Sequence, residues 1–300
     1  MSRPGYQRAS STNLGNQTFR SLEGKLAIVT GGSRGIGAAI ARNLASKGAS
    51  LVLNYTSDKS TETTEALAEE LQREHGINAI TVQADLGTVG GPPLIVETAK
   101  NHFAHPKTGK FQIDIIVNNA GISINVPIEE STPEIFHQTY NINVLGPLLL
   151  IQAAMPYLPH DRSGRIVNLS SVSSNMGAVT QSIYGGSKAA VEGMTRTWAR
   201  ELAERATVNA VNPGPVDTDM FNGVSDEFME FMSLPAQMTP LAAVREGIDP
   251  PEVLERAKKL KGRAAYPEEI AGVVAMLCSE DSGWCTGSVV CANGGLKFST

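Results

Sequence analysis

The chain has 300 residues, 41% of them hydrophobic and 18% charged, which supplies a sizeable core and excludes a wholly disordered chain. Its 25 basic and 30 acidic side chains leave a net charge of −5, so the concentrated basic patch of a nucleic-acid binder is missing. The longest apolar stretch, Val144 to Met155, contains Gly146 and Pro147 and is too short to cross a bilayer, so a soluble cytoplasmic protein is expected.

Residues 1–24 read as a disordered N-terminal extension. The first 22 are rich in Ser, Asn, Gln and Gly and carry Arg3, Arg8 and Arg20 without a single acid. From residue 25 to residue 300 a single domain is expected. Short β-branched runs predict strands at Leu26–Thr30, Leu51–Tyr55, Ala79–Gln83, Ile113–Asn118, Arg165–Ser170, Thr207–Val211 and Ser288–Ala292. Between them, helical spacing is read at Ile36–Lys47, Thr61–Glu74, Pro133–Leu158 and Ser182–Glu204. Alternating strands and helices imply an α/β fold, a doubly wound parallel sheet of about seven strands with helices on both faces. Residues 219–263 break the rhythm. Their Met220, Phe221, Phe228, Met229, Phe231, Met232 and Met238 suit either an amphipathic helix on the core or an apolar flap over a ligand.

Cys278, Cys285 and Cys291 show no C-x-x-C spacing and read as small buried residues in a reducing compartment. The five histidines are scattered, so no metal site is expected.

The first strand runs directly into Gly31-Gly32-Ser33-Arg34-Gly35-Ile36-Gly37 and a helix. Glycines let the backbone approach a ligand, and the helix N-terminus offers free N–H groups, which together make a pyrophosphate cradle. The same residues also fit G-x-S-x-G, the nucleophile elbow of a hydrolase. That alternative needs a downstream acid and histidine, and neither His137 nor His160 has a strand-end context. Tyr184 and Lys188 lie one turn apart on a predicted helix, where an ammonium is expected to lower the phenol pKa and fit it for proton transfer. Ser171 ends the preceding strand, at the edge where such sheets open their crevice.

Together these residues resemble the short-chain dehydrogenase/reductase family, in the branch that begins T-G-x-x-x-G-x-G, and the likeness covers residues 25 to 295. Thr30 to Gly37 fits the cofactor motif, Asp85-Leu86 the adenine contact and Asn118-Asn119-Ala120-Gly121 the fourth-strand motif. Asn143 fits the helix-bending asparagine, and Asn212-Pro213-Gly214 with Val216 and Thr218 fits the nicotinamide segment. The resemblance implies hydride transfer between a nicotinamide and a carbonyl carbon. Tyr184 would act as acid or base and Ser171 would stabilise the carbonyl oxygen. Lys188 would hold the ribose, and Asn143 would position a water linking Lys188 to solvent.

The end of the second strand, Asn54-Tyr55-Thr56-Ser57, holds no carboxylate before Asp58, and Arg34 adds a charge suited to phosphate, so NADP(H) is the expected cofactor. Asn54-Tyr55 and the stretch from Asp281 to Gly287 resemble fungal naphthol and anthraquinone reductases, and the Met- and Phe-rich segment suits a bulky hydrophobic ketone. Two other classes remain open: a non-redox isomerase, dehydratase or cyclase, and an NADP-sensing protein. The intact Ser171, Tyr184 and Lys188 argue against the sensor. By resemblance the two long helices pair across a two-fold axis, giving a homotetramer or a dimer.

Overall fold

The computed structural model describes residues 20–298. Residues 1–19 of the expected extension lie outside the described residues, but the domain begins before residue 25. Leu22 is 2% exposed, joins the core, and donates its N–H to Lys47 O at 2.8 Å.

Seven strands, β1 (Leu26–Val29), β2 (Ser50–Tyr55), β3 (Ala79–Gln83), β4 (Ile115–Asn118), β5 (Gly164–Leu169), β6 (Ala206–Pro213) and β7 (Val289–Ala292), form one parallel sheet. Their order is β3-β2-β1-β4-β5-β6-β7. The helices are α1 (Gly35–Ser46), α2 (Thr61–His75), α3 (Gly91–Phe103), α4 (Pro133–Tyr140), α5 (Gly146–Ala154) and α6 (Ser173–Met176). They continue with α7 (Ser182–Glu201), α8 (Asp219–Asn222), α9 (Asp226–Met238), α10 (Pro251–Leu260) and α11 (Pro267–Cys278). Among the described residues no helix is long and apolar enough to cross a membrane.

Both faces of the sheet are covered, and the strand period of two distributes side chains between them. In β1, Ala27 and Val29 pack with Ile40 and Leu44 of α1 and Val274 of α11. Leu26 and Ile28 pack on the other side with Ile95 of α3, Leu150 of α5 and Trp198 of α7. This double burial explains why the strands read as apolar almost throughout.

One expected element is divided. The helix read from Pro133 to Leu158 opens into a π-turn at Asn141–Leu145 and restarts at Gly146 as α5. Pro147 has no N–H to donate one turn back, so the regular ladder cannot pass through it. Gly146 lets the chain pass close to Leu86, since a Cβ there would stand 2.8 Å from Leu86 O.

Strand order reverses between β1 and β4, and the loops leaving their carboxyl ends face one another across a crevice.

Candidate active site

The loop after β1 is built for close approach. Gly31 has φ +63°, and a Cβ there would come within 3.0 Å of Ala120 Cα; at Gly37 it would meet Gly31 O at 2.1 Å. Thr30 Oγ1 accepts the N–H groups of Asn119 and Ala120, each at 3.0 Å, while Asn119 Nδ2 donates to Thr30 O at 2.9 Å and Gly31 O at 3.1 Å. The β1 and β4 loops are thereby tied into one rigid floor. Gly37→Ala should cost about 1–3 kcal/mol of stability, because the new methyl must displace the Gly31 backbone and the Asn119 amide bonded to it. Chemical denaturation beside the wild type measures it, and an unchanged midpoint would contradict the packing described.

A groove of about 1440 Å³ runs along the carboxyl edge of the sheet, beyond the ~300–1,000 Å³ that holds a single small ligand. On the β2–β3 side it is lined by Ser33, Arg34, Gly35, Ile36, Gly37, Tyr55, Thr56, Ser57, Asp85 and Leu86. Gly31, Asn119, Ala120 and Gly121 lie at the centre, and Pro213, Gly214, Val216 and Thr218 border the β6 side. Thr56 and Ser57 are exposed there with no carboxylate at the strand tip, whereas Asp58 accepts a bond from Gln83 Nε2 at 2.7 Å. Arg34 pairs with Asp219 at 3.4 Å, with both side chains mostly in solvent.

Asn54 is a correction. It is fully buried, and its Nδ2 donates to the backbone oxygens of Tyr55, Val82 and Ala84 at 3.0–3.2 Å. Its alternate-face position in β2 turns the side chain into the sheet, so it supports the loop from behind through a 3.5 Å contact with Gly31 N and lines no groove.

On the β5 side, Ser171, Tyr184 and Lys188 converge on the groove. Tyr184 is 9% exposed and Lys188 5%. Burial pushes the Tyr184 hydroxyl above its ordinary value, with the Ser171 hydroxyl pulling the other way through a hydrogen bond. Burial pushes the Lys188 ammonium down to about 8. The sequence led us to expect Lys188 to lower the phenol pKa. Instead Lys188 Nζ donates to Leu169 O at 2.8 Å and stands 5.8 Å from the Tyr184 ring centroid, so loss of solvent decides the phenol's direction. The neutral phenol is thus favoured, a proton donor at neutral pH.

Asn143 supports the site from behind. It is 1% exposed, sits in the π-turn and lies behind the groove wall. Its Oδ1 accepts from Ile122 N at 2.9 Å, and its Nδ2 donates to Ile122 O and Ser187 Oγ, both at 3.0 Å. These bonds fix the β4 loop against α7. Asn212 also turns inward, toward Ser174 and Glu192 at 3.2 Å.

Within residues 219–263 the chain forms α8, α9 and α10. Met232, Ala236 and Leu260 form a small core with Met176, Phe221, Phe228 and Leu296, so the apolar face packs as an amphipathic helix does. Met220, Phe221, Phe228 and Met232 also line the groove. Ion pairs of Arg256 with Asp217 and Lys259 with Asp226 tie α10 to the segment before α8 and to α9.

Residues 25–228 match the family described as short chain dehydrogenase, a span that holds the glycine loop, Ser171, Tyr184 and Lys188. The chain belongs to the short-chain dehydrogenases. L-xylulose reductase of Aspergillus niger is 55% identical over 295 residues, covering 93% of this chain and 99% of the relative. L-xylo-3-hexulose reductase of Hypocrea jecorina is 50% identical, with 93% and 99% covered. Among solved structures, angucycline C-6 ketoreductase LanV with bound NADP superposes with a TM-score of 0.77 at 34% identity, covering 92% of this chain and 96% of that one.

The groove of this short-chain dehydrogenase fits a dinucleotide on its own geometry. Added Cβ atoms at Gly31 and Gly37 would press on the floor of the cradle, and the first turn of α1 has no side-chain cap, leaving its N–H groups for phosphate oxygens. Among the described residues no group of His, Cys, Asp and Glu is arranged to hold a metal.

Sequence reasoning missed the supports behind these groups. Glu192, 7% exposed, accepts hydrogen bonds from Ser170 Oγ at 2.7 Å, Ser174 Oγ at 2.6 Å and Asn212 Nδ2 at 3.2 Å, fixing the segment that carries Ser171. Its only sequence signal is a carboxylate one turn beyond Lys188, on the face of α7 that meets the sheet.

Proposed function

We propose that this short-chain dehydrogenase is an NADPH-dependent reductase of open-chain polyhydroxy ketones, the ketose class. The observation that carries this reading is the wall beside Tyr184, where Ser123, Ser173 and Gln181 present polar groups to the groove. Hydroxyls along a ketose chain find partners there, where a plain hydrocarbon would leave buried polar atoms unpaired. The 55% identity with an L-xylulose reductase supports the same class.

NADPH, when bound, supplies the hydride. The residues on the β2–β3 side of the groove and the cradle of α1 would hold it, with Arg34, Thr56 and Ser57 suited to its extra phosphate. Tyr184 holds the proton that goes to the carbonyl oxygen, and its raised pKa keeps that proton in place at neutral pH. Ser171, whose hydroxyl donates to Ser173 Oγ at 3.1 Å, would turn that O–H to the same oxygen and stabilise the charge that builds there. Lys188 brings a positive charge beneath the phenol, and Phe228 and Met232 limit water on the opposite wall.

That opposite wall favours a second reading, reduction of a bulky, flat ketone against Phe221, Phe228, Met176 and Met232. One assay separates the two. NADPH consumption is followed with L-xylulose and with 2-tetralone, and the products are identified by mass. The ketose should give the higher kcat/KM and a polyol product; turnover of 2-tetralone with none of L-xylulose would reverse the order.

A further inference from the structure

Gln181 stands immediately before α7, three residues ahead of Tyr184, so both face the groove from the first turn of one helix. It is 7% exposed. Its Nε2 donates to Asn125 Oδ1 at 3.2 Å, and the same Oδ1 accepts the Ser123 hydroxyl at 2.9 Å. The Ser123 hydroxyl and the Gln181 amide N–H thus share one acceptor, Asn125 Oδ1. The acceptor end is left over: Gln181 Oε1 is buried without a hydrogen-bond partner.

A buried amide oxygen without a partner is uncommon, because desolvation costs free energy that only a donor returns. We propose that Gln181 Oε1 accepts a hydrogen bond from a substrate hydroxyl on a carbon flanking the reacting carbonyl, and so selects hydroxylated ketones over plain ones. The inference rests on the ketose reading and deepens it by naming the contact. The chemistry is directional. Oε1 is an acceptor, so a hydroxyl satisfies it, whereas a second carbonyl, a carboxylate or a methylene does not. The preferred substrate therefore carries a hydroxyl next to its ketone, and 1,2-diketones and 2-keto acids are disfavoured at this wall. Gln181 and Tyr184 line the same groove, three residues apart at the start of α7.

The test compares L-xylulose with 2-pentanone, a five-carbon ketone without hydroxyls, in the wild type and in Gln181→Leu, which keeps the bulk and removes the acceptor. Gln181→Met serves if the leucine variant does not fold, as judged by thermal unfolding. The wild type should prefer L-xylulose. The variant should lose about 10- to 100-fold in kcat/KM for L-xylulose while 2-pentanone is unchanged or improved, with NADPH affinity by fluorescence titration unaltered. Equal losses for both ketones would mean that Gln181 only supports the fold of the site. An unaltered preference would mean that Oε1 meets no substrate. Either result, in an enzyme whose wild type prefers L-xylulose, overturns this inference alone. A wild type that reduces 2-pentanone better than L-xylulose overturns the ketose reading and the inference with it.

Discussion

Tyr184→Phe should abolish most turnover while leaving NADPH binding intact. The ring stays in its buried seat on α7, and only the hydroxyl proposed as proton donor is removed. Loss of a positioned acid is typically worth about 100- to 10,000-fold in rate. Single-turnover NADPH oxidation in the variant, beside a fluorescence titration of NADPH, reads both quantities. Near-normal turnover with the phenylalanine in place would remove Tyr184 from the mechanism. The same chemistry sets the direction of the pH profile. Burial raises the phenol pKa, so the donor stays protonated through neutrality. Lys188, lowered to about 8, is charged below that pH and neutral above it. Carbonyl reduction should therefore fall as pH rises through about 8, when the positive charge beneath the phenol is lost. A rate that rises across that range in the reducing direction would contradict this ordering.

Most of the fold was legible because the chemistry that places it is local. Strand positions followed from β-branched runs such as Leu51–Tyr55, and the glycine loop from spacing alone. The boundaries of β6 and α7 shifted by only a few residues. What failed was whatever depends on which way a side chain turns. Asn54 stands beside Tyr55 in the chain, yet the pleat sends it into the sheet and Tyr55 toward the groove. Asn143 matched a motif, but its bonds to Ile122 and Ser187 were not legible from that match. Pro147 announced a break that a purely apolar reading of Pro133–Leu158 ignored. α3 was not among the helices read from spacing; its Gly91-Pro92-Pro93 start shows how prolines suit the first turn of a helix. Gln181 and Glu192 carried no motif at all. Their importance comes from buried partners that no spacing rule connects, Asn125 lying 56 positions from Gln181.

The cofactor assignment rests on a few exposed groups, which makes its test sharp. NADPH differs from NADH by one phosphate carrying nearly two negative charges, and Arg34, Thr56 and Ser57 line the groove where the second strand ends. A charge-assisted hydrogen bond contributes about 1.5–3 kcal/mol, roughly a factor of ten or more in affinity. Arg34 is largely in solvent and already paired with Asp219 at 3.4 Å, so the gain on phosphate binding is offset by surrendering that pair. Exposed pairs of this kind are worth little, about 0–1 kcal/mol, so the phosphate should win. Arg34→Ala should then weaken NADPH about 10- to 100-fold and leave NADH nearly unchanged. Asp219→Asn should act in the opposite sense, freeing the guanidinium and tightening NADPH by a small factor. An acid added on the groove wall, as in Thr56→Asp, should repel the phosphate. The same change at Asn54 would not serve, because it would bury a carboxylate inside the sheet and report on folding. The measurement is kcat/KM for both nucleotides in the wild type and these three variants. A wild type that prefers NADH, or an Arg34→Ala variant that loses equally with both nucleotides, would overturn the assignment.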